Sequence, residues 1–230
     1  MKTKTNTTKA TTNATTTPTS QPINQKPLLI QPVVMRTASL WIKGTTPLIQ
    51  HAWSKKALEM IRMTAAERRK VPKTGRDPIS EGKNAAYVDE DGNFGIPAMA
   101  VKCAMIEVAH KDIGLPKTLV RKALRFQSCG VIPMECDHPI IREDIVRVGN
   151  GATDLRYRPE FRKWSANIKF NYDADLLSIQ DVLNLVDRAG FSVGIGEWRP
   201  EKNGEYGTFE VDRSLPIQDY SVTDKNSDSQ

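Results

Sequence analysis

Cysteine and histidine are scarce in this chain, with three of each among 230 residues. Cys103, Cys129 and Cys136 are too few, and odd in number, for a disulfide framework. Cys129, Cys136 and His138 lack the close-paired spacing of a zinc site, so no metal is expected there. Cys103 reads as a core residue. Aliphatic runs are short, and none approaches the roughly 20 residues that a membrane span needs. The N-terminus has neither the apolar segment of a secretory signal nor the arginines of an import peptide. These absences lead to the expectation of a soluble, cytoplasmic protein.

Residues 1–32 are rich in Thr, Asn, Gln, Lys and Pro, with almost no aliphatic side chain before Leu28. Such a segment cannot bury enough apolar surface to offset its ordering entropy, so a disordered tail is expected there. Residues 213–230 are polar in the same way and are expected to form a flexible C-terminal tail. Between them, 33–212 is long enough for one domain with a sizeable interior. The formal net charge is +6. Lys2, Lys4, Lys9 and Lys26 in the first tail, and a net −1 in 213–230, leave +3 for the domain. An excess this mild argues for a polyanionic partner only through its distribution.

Alternation of Leu40 and Ile42 with Ser39, Trp41 and Lys43 predicts a strand over Ala38–Lys43, broken by Gly44 and Pro47. Ser54 is placed to cap a short helix over Lys55–Met63. Residues 64–84 show no period and read as a long basic loop. Tyr87–Val88 and Phe94–Ile96 predict short strands around a turn at 89–93. Pro97 suits the first position of a helix whose body, Met99–His110, is apolar almost all round and therefore expected to be buried. A short helix over Lys117–Leu124 follows, then strands at Val131–Met134, Ile140–Val148 and Ser165–Tyr172. Ser178 with Asp181 forms a capping box for a helix whose face is Ile179, Val182, Leu183 and Val186, with Gly190 as its C-terminal stop. A last strand is expected around Thr208–Val211. Strand–helix alternation also allows a doubly wound parallel sheet, but no strand–glycine-loop–helix phosphate motif is present, and no cofactor is expected. An α+β fold with a ferredoxin-like βαββαβ core and insertions fits the order better.

Two stretches carry chemistry. Between Phe191 and Val211 lie Gly194, Gly196, Gly204 and Gly207, with Trp198, Arg199, Lys202 and Tyr206 among them. Glycine permits close backbone approach, cations meet phosphates, and rings stack on bases, so the mixture suits a nucleic-acid strand as well as it suits an ordinary hairpin loop. Arg142, Arg147, Arg156, Arg158, Arg162, Lys163 and Lys169 accumulate around Tyr157, Phe161 and Trp164, with a flexible break expected at 149–151. That stretch reads equally as a solvated strand face. Together with the basic 64–84 segment, the two favour binding of nucleic acid.

Gly194-Ile-Gly196, Arg199 and Lys202, then Gly204-Glu-Tyr206-Gly207-Thr-Phe209 resemble the glycine-rich loop of the RAMP superfamily, the RNA-binding and RNA-processing proteins of CRISPR systems. Phe94-Gly-Ile96-Pro97 leading to Lys102 is similar to that superfamily's strand-to-helix segment. The strand ending in Gly44-Thr-Thr-Pro-Leu-Ile is similar to its first strand and loop. The resemblance implies a ferredoxin-like, RRM-like domain with a C-terminal glycine-rich loop. It implies non-catalytic binding of single-stranded RNA or DNA through these residues, with copies stacking along the strand as a homo-oligomer. Gly196-Glu-Trp-Arg-Pro-Glu-Lys also resembles proteins of tailed bacteriophages, which would place the chain in a bacterial host and allows a structural or interaction role in a phage particle.

An enzymatic alternative rests on His51, which lies just after the first strand, where some RAMP endoribonucleases place a general base. Asp89, Glu90 and Asp91 offer carboxylates to a divalent ion, but acids are common in turns. Neither feature displaces the non-catalytic reading.

Overall fold

The computed structural model describes residues 32–70, 75–149 and 151–221. The tail expected at 1–32 lies, but for Pro32, outside the described residues, as does Asn150 in the expected break at 149–151. In chain order, β1 (Met35–Gly44) leads to a two-residue β2 (Leu48–Ile49). α1 (Lys55–Arg62), α2 (Ala65–Lys70) and α3 (Pro78–Asn84) follow. β3 (Gly95–Pro97) runs straight into α4 (Ala98–Asp112), then α5 (Lys117–Ala123) and β4 (Leu124–Phe126). β5 (Val131–Cys136), β6 (Ile140–Val148), β7 (Ala152–Phe161) and β8 (Trp164–Asp173) form an all-strand stretch. α6 (Ile179–Arg188) continues through a π turn at Ala189–Val193, and a 3-10 turn at Pro200–Lys202 precedes β9 (Phe209–Val211) and β10 (Gln218–Ser221).

The fold is α+β with antiparallel sheets. In the main sheet β1 pairs with β8 over Met35–Lys43, and its other edge takes β10 at one end and β9 at the other. The far edge of β8 is shared by β4 and β5, and β3 pairs with β5. A smaller sheet has the order β2-β7-β6. Strand alternation explains which face is buried. Ala38, Leu40 and Ile42 of β1 and Ala166, Ile168, Phe170 and Tyr172 of β8 point one way, where they meet Val101, Met105 and Val108 of α4 and Val182, Leu185 and Val186 of α6. Each large aliphatic or aromatic side chain so buried contributes about 1.5–3 kcal/mol. The opposite face carries Thr37, Ser39, Trp41 and Lys43 beside Asn171, Asn167 and Lys169. Its hydroxyls are satisfied by amides: Thr37 donates to Asn171 and Ser39 to Asn167, each at 2.9 Å.

Several expectations are corrected. The 64–84 segment is not a plain loop: α2 and α3 occupy much of it. Thr64 with Glu67 and Asp77 with Pro78 start these helices. They show no apolar period because α2 buries nothing and α3 buries only Gly82. β7 was not anticipated; its Arg156 and Arg158 face Asp144 and Arg142 of β6 across the hairpin. The polar stretch expected as a flexible tail from 213 supplies β10, where Asp219 binds Arg36 at 3.0 Å and the Tyr172 hydroxyl at 3.0 Å. An edge strand held by ladder bonds and an ion pair needs no apolar pattern. Pro97 ends β3 as the cap of α4 rather than opening the helix, and α4 is buried on one face only, with Met99 61% exposed.

Gly190 is also not a helix stop, since the chain continues into the π turn. Its role is close approach: a Cβ at 190 would lie 1.9 Å from the Phe209 carbonyl oxygen. Gly190→Ala must therefore push the end of α6 away from β9. The expected cost is about 1–3 kcal/mol, as for overpacking elsewhere. That corresponds to roughly 2–4 °C in Tm per kcal/mol for a chain of this size. An unchanged thermal transition would show that the two backbones are not in contact.

Candidate functional site

The β6–β7 hairpin sets Arg142 opposite Arg158 and Asp144 opposite Arg156. Residues of both signs thus share one face, and they neutralise one another. Arg158, only 3% exposed, donates to Asp144 at 3.3 Å and to Glu197 at 3.3 Å. Arg142 donates to Asp144 and Glu160, both at 2.9 Å, and its guanidinium lies 5.2 Å from the Tyr206 ring centroid. Burial would lower the Arg142 pKa, but Tyr206 and Asp144 outweigh it and raise the value. Arg156 binds Asp154 at 3.2 Å, and Arg162 binds Glu160 at 3.4 Å. Arg76, from the segment counted as basic loop, grips Glu81 and Asp154 and sits 5.5 Å from the Tyr157 ring. Arg147 is exposed and has no ion-pair partner among the described residues.

The segment 194–207 closes on itself and on the β1–β2 connection. Ile195 N–H donates to Gly207, Gly207 N–H to Pro47 and Glu197 N–H to Ile49, at 2.8–2.9 Å. Gly207 has φ +68°, and a Cβ there would meet the Ile195 carbonyl at 1.8 Å. Gly204 lies equally close to the Trp198 carbonyl oxygen. Gly194 and Gly196 take positive φ as well. These glycines admit the chain's own backbone. Arg199 is held by Glu201 at 2.6 Å and by the Gly196 carbonyl at 2.9 Å, while Lys202 is exposed, 4.0 Å from Glu201. Trp198 has φ +57° and is 45% exposed. A left-handed conformation is strained for so bulky a residue, at about 1–3 kcal/mol, and is kept by the Tyr206 N–H bond to its carbonyl at 3.0 Å.

The structure brings Arg147, Arg156, Arg158, Glu197 and Trp198 together around one open cleft of about 580 Å3 between the hairpin and this segment. Other expected site residues lie apart from that lining. Lys102 is on α4, where its ammonium donates to the Leu124 carbonyl at 2.8 Å and ties helix to strand. Lys163 is exposed at the β7–β8 turn, and Lys169 is exposed on the open face of the main sheet. The Asp89 carboxylate is occupied by Asp91 and Asn93 within its own turn. Among the described residues, no group of three or more His, Cys, Asp or Glu gathers as a metal site. No described helix is long and apolar enough to cross a membrane. The residues missed from sequence are the carboxylates Asp144, Asp154, Glu160 and Glu197. Asp144, Asp154 and Glu160 each stand two positions from their arginine, Arg142, Arg156 and Arg162, whereas Glu197 has no partner at such a spacing and meets Arg158 only through the fold.

His51 lines a neighbouring cavity of about 180 Å3 with Gln50, Tyr87 and Glu197. Its Nε2 is 2.9 Å from Arg156. A guanidinium only donates, so Nε2 accepts and the proton of the neutral ring sits on Nδ1. Nδ1 is buried without a partner among the described residues. Burial, Arg158 and Arg156 hold the His51 pKa below its ordinary value.

No protein-family model and no curated protein matches the chain. Among solved structures it is similar to a Type III-B Cmr-beta complex bound to cognate target RNA, at 10% identity and TM-score 0.46, over 82% of this chain and 61% of that one. The chain thus spans less than two thirds of that protein's length. It is also similar to Cmr6 from Pyrococcus furiosus, at 10% identity and TM-score 0.42, over 77% of this chain and 98% of that one.

The His51 environment gives a pH dependence. Below the ordinary value of 6.5 the unfolded chain binds a proton that the folded chain refuses until lower pH. Stability contributed here is complete above that value and falls as pH drops toward the folded pKa. His51→Gln, which keeps an acceptor for Arg156, is expected to flatten this part of the profile. Urea unfolding between pH 7.5 and 5 checks it, and identical profiles for both proteins would disprove the assignment.

Proposed function

We propose that the chain binds single-stranded nucleic acid, without catalysing a reaction, in the cleft between the β6–β7 hairpin and segment 194–207. The observation that carries this reading is the shared lining of that cleft by unpaired Arg147 and by Trp198, a half-exposed ring in a strained backbone. A cation and an exposed ring are what a strand needs, since one meets phosphate and the other stacks on an unpaired base. A duplex hides the faces of its bases, so the ring favours single strands.

Topology supports the frame. Taken as β1-α4-β5-β8-α6-β9, the main elements follow a ferredoxin-like βαββαβ order, with strands arranged β9-β1-β8-β5 and both helices on one face. On that reading β2, α1–α3, β3 and the β6–β7 hairpin are insertions, and segment 194–207 is the RAMP-like glycine-rich loop. The closure of that loop on β2 supports a rigid rim to the cleft. His51 supports a non-catalytic reading, because the lone pair a general base would use is directed at Arg156.

Fluorescence anisotropy with single-stranded RNA, single-stranded DNA and duplex DNA of equal length, across salt, tests the reading. Single strands should bind more tightly than duplex. Arg147→Ala should reduce the salt slope of log K by about 0.7. Trp198→Ala should cost roughly 1–3 kcal/mol with little change in slope. Arg199→Ala should act mainly by loosening the loop, seen in Tm beside affinity. A folded Arg147→Ala/Trp198→Ala protein with wild-type affinity and slope overturns the cleft. Cleavage of RNA under single-turnover conditions, lost in His51→Ala, overturns the non-catalytic reading.

A further inference from the structure

The open face of the main sheet bears a second cavity of about 580 Å3, and it shares no lining residue with the cleft. Trp41 of β1, Glu135 of β5, Asn167 and Lys169 of β8, and Gln127 after β4 line it. Strand register sets Trp41 directly beside Asn167, and Ser39 beside Lys169, so ring, amide and ammonium are immediate neighbours. Trp41 is half-buried on the face opposite the core helices. The Asn167 carbonyl accepts from Ser39 at 2.9 Å, which leaves its N–H groups without a protein partner among the described residues. Gln127 donates to Asn171 at 3.0 Å, which likewise leaves its carbonyl oxygen. Lys169 is exposed and makes no ion pair among the described residues.

The cavity volume is within the range of sites that hold small ligands. Trp41, Ile132, Pro133 and Met134 give it apolar walls, among which Gln127, Glu135, Asn167 and Lys169 place a few polar groups. One ring, an amide donor, a carbonyl and a carboxylate as acceptors, and one cation fit a nucleotide: the base on the ring, its edge on the amides, its phosphate on the ammonium. We propose that this cavity of the open sheet face binds one unpaired base of a nucleic-acid strand, with Trp41 as the stacking surface and Lys169 as the phosphate contact. The inference rests on the strand-binding reading and adds a contact region distinct from the cleft.

The test uses the full chain and a single-stranded 12-nucleotide RNA or DNA, with Tm measured for every variant. Trp41→Ala should weaken binding roughly 5- to 150-fold, the range that a stacked base contributes. Trp41→Phe keeps a ring and should restore most of the affinity. Lys169→Ala should lower the salt slope by about 0.7. The indole N–H resonance of Trp41, assigned by its absence in Trp41→Phe, should move on titration with the oligonucleotide. If Trp41→Ala does not fold, the Lys169→Ala slope and the indole resonance decide. Wild-type affinity in folded Trp41→Ala, beside weakened Trp198→Ala, overturns the sheet-face site and leaves the cleft standing. Equal loss in Trp41→Ala and Trp41→Phe with lowered Tm also overturns it, since the ring then serves the fold. Absence of binding by the wild-type chain to any strand overturns both readings.

Discussion

Arg158 is the constraint on which the candidate site depends. A guanidinium with 3% exposure cannot be left without a counter-charge, because burying an isolated charge is far costlier than any single contact it makes. Its partners come from two places. Asp144 lies on the neighbouring strand of the hairpin, and Glu197 lies 39 residues further along the chain, in the loop before β9. Meeting both at once fixes the hairpin against the loop, and the cleft is the space left between them. Removing Asp144, itself buried, leaves a buried charge with half its neutralisation, a change that costs about 3–5 kcal/mol in comparable buried pairs. Burial, and then the Arg158 and Arg156 guanidinium groups of the same cluster, lower the His51 pKa.

That constraint also sorts the basic residues. Arg142 with Asp144, Arg156 with Asp154, Arg162 with Glu160 and Arg199 with Glu201 are four ion pairs between residues two positions apart. The first two pairs each lie on one strand, where such residues point to the same face, so their pairing is a consequence of spacing. A count of cations along 142–169 therefore overstates what a polyanion would meet. Arg147, Lys163 and Lys169 remain as exposed cations without ion pairs among the described residues, and two of them line cavities. Within 142–169, therefore, only a few positive groups are available to a polyanion.

What was legible in the sequence tracks what burial dictates. β1, β8 and α6 were readable because each has one face in the core, which stamps a period of two or of 3.6 on the apolar residues. The Ser178–Asp181 capping box was readable because it is local. α2 and α3 were not, since helices that bury almost nothing carry no period. β10 was missed because Asp219 and ladder bonds hold it, and neither leaves an apolar trace. In the candidate site the cations and glycines were visible as composition, but their partners were not. Whether Arg158 serves a ligand or the fold depends on Glu197, and only the tertiary path of the chain brings those two together.

The contrast between Trp198 and Asn203 carries the functional argument furthest. Both have φ near +57° in the same loop. Asn tolerates that region, and its presence at a turn asks for no explanation. Tryptophan does not tolerate it, and glycine would satisfy the same turn without strain. Nor does full burial compensate Trp198, which is 45% exposed. The Tyr206 N–H bonds its carbonyl, and Gly204, where a Cβ would collide with that carbonyl, lets the backbone pass close by. Folding alone supplies no reason to place a large exposed ring at a strained position beside a cleft. On the proposed function, a partner that stacks on the ring supplies that reason.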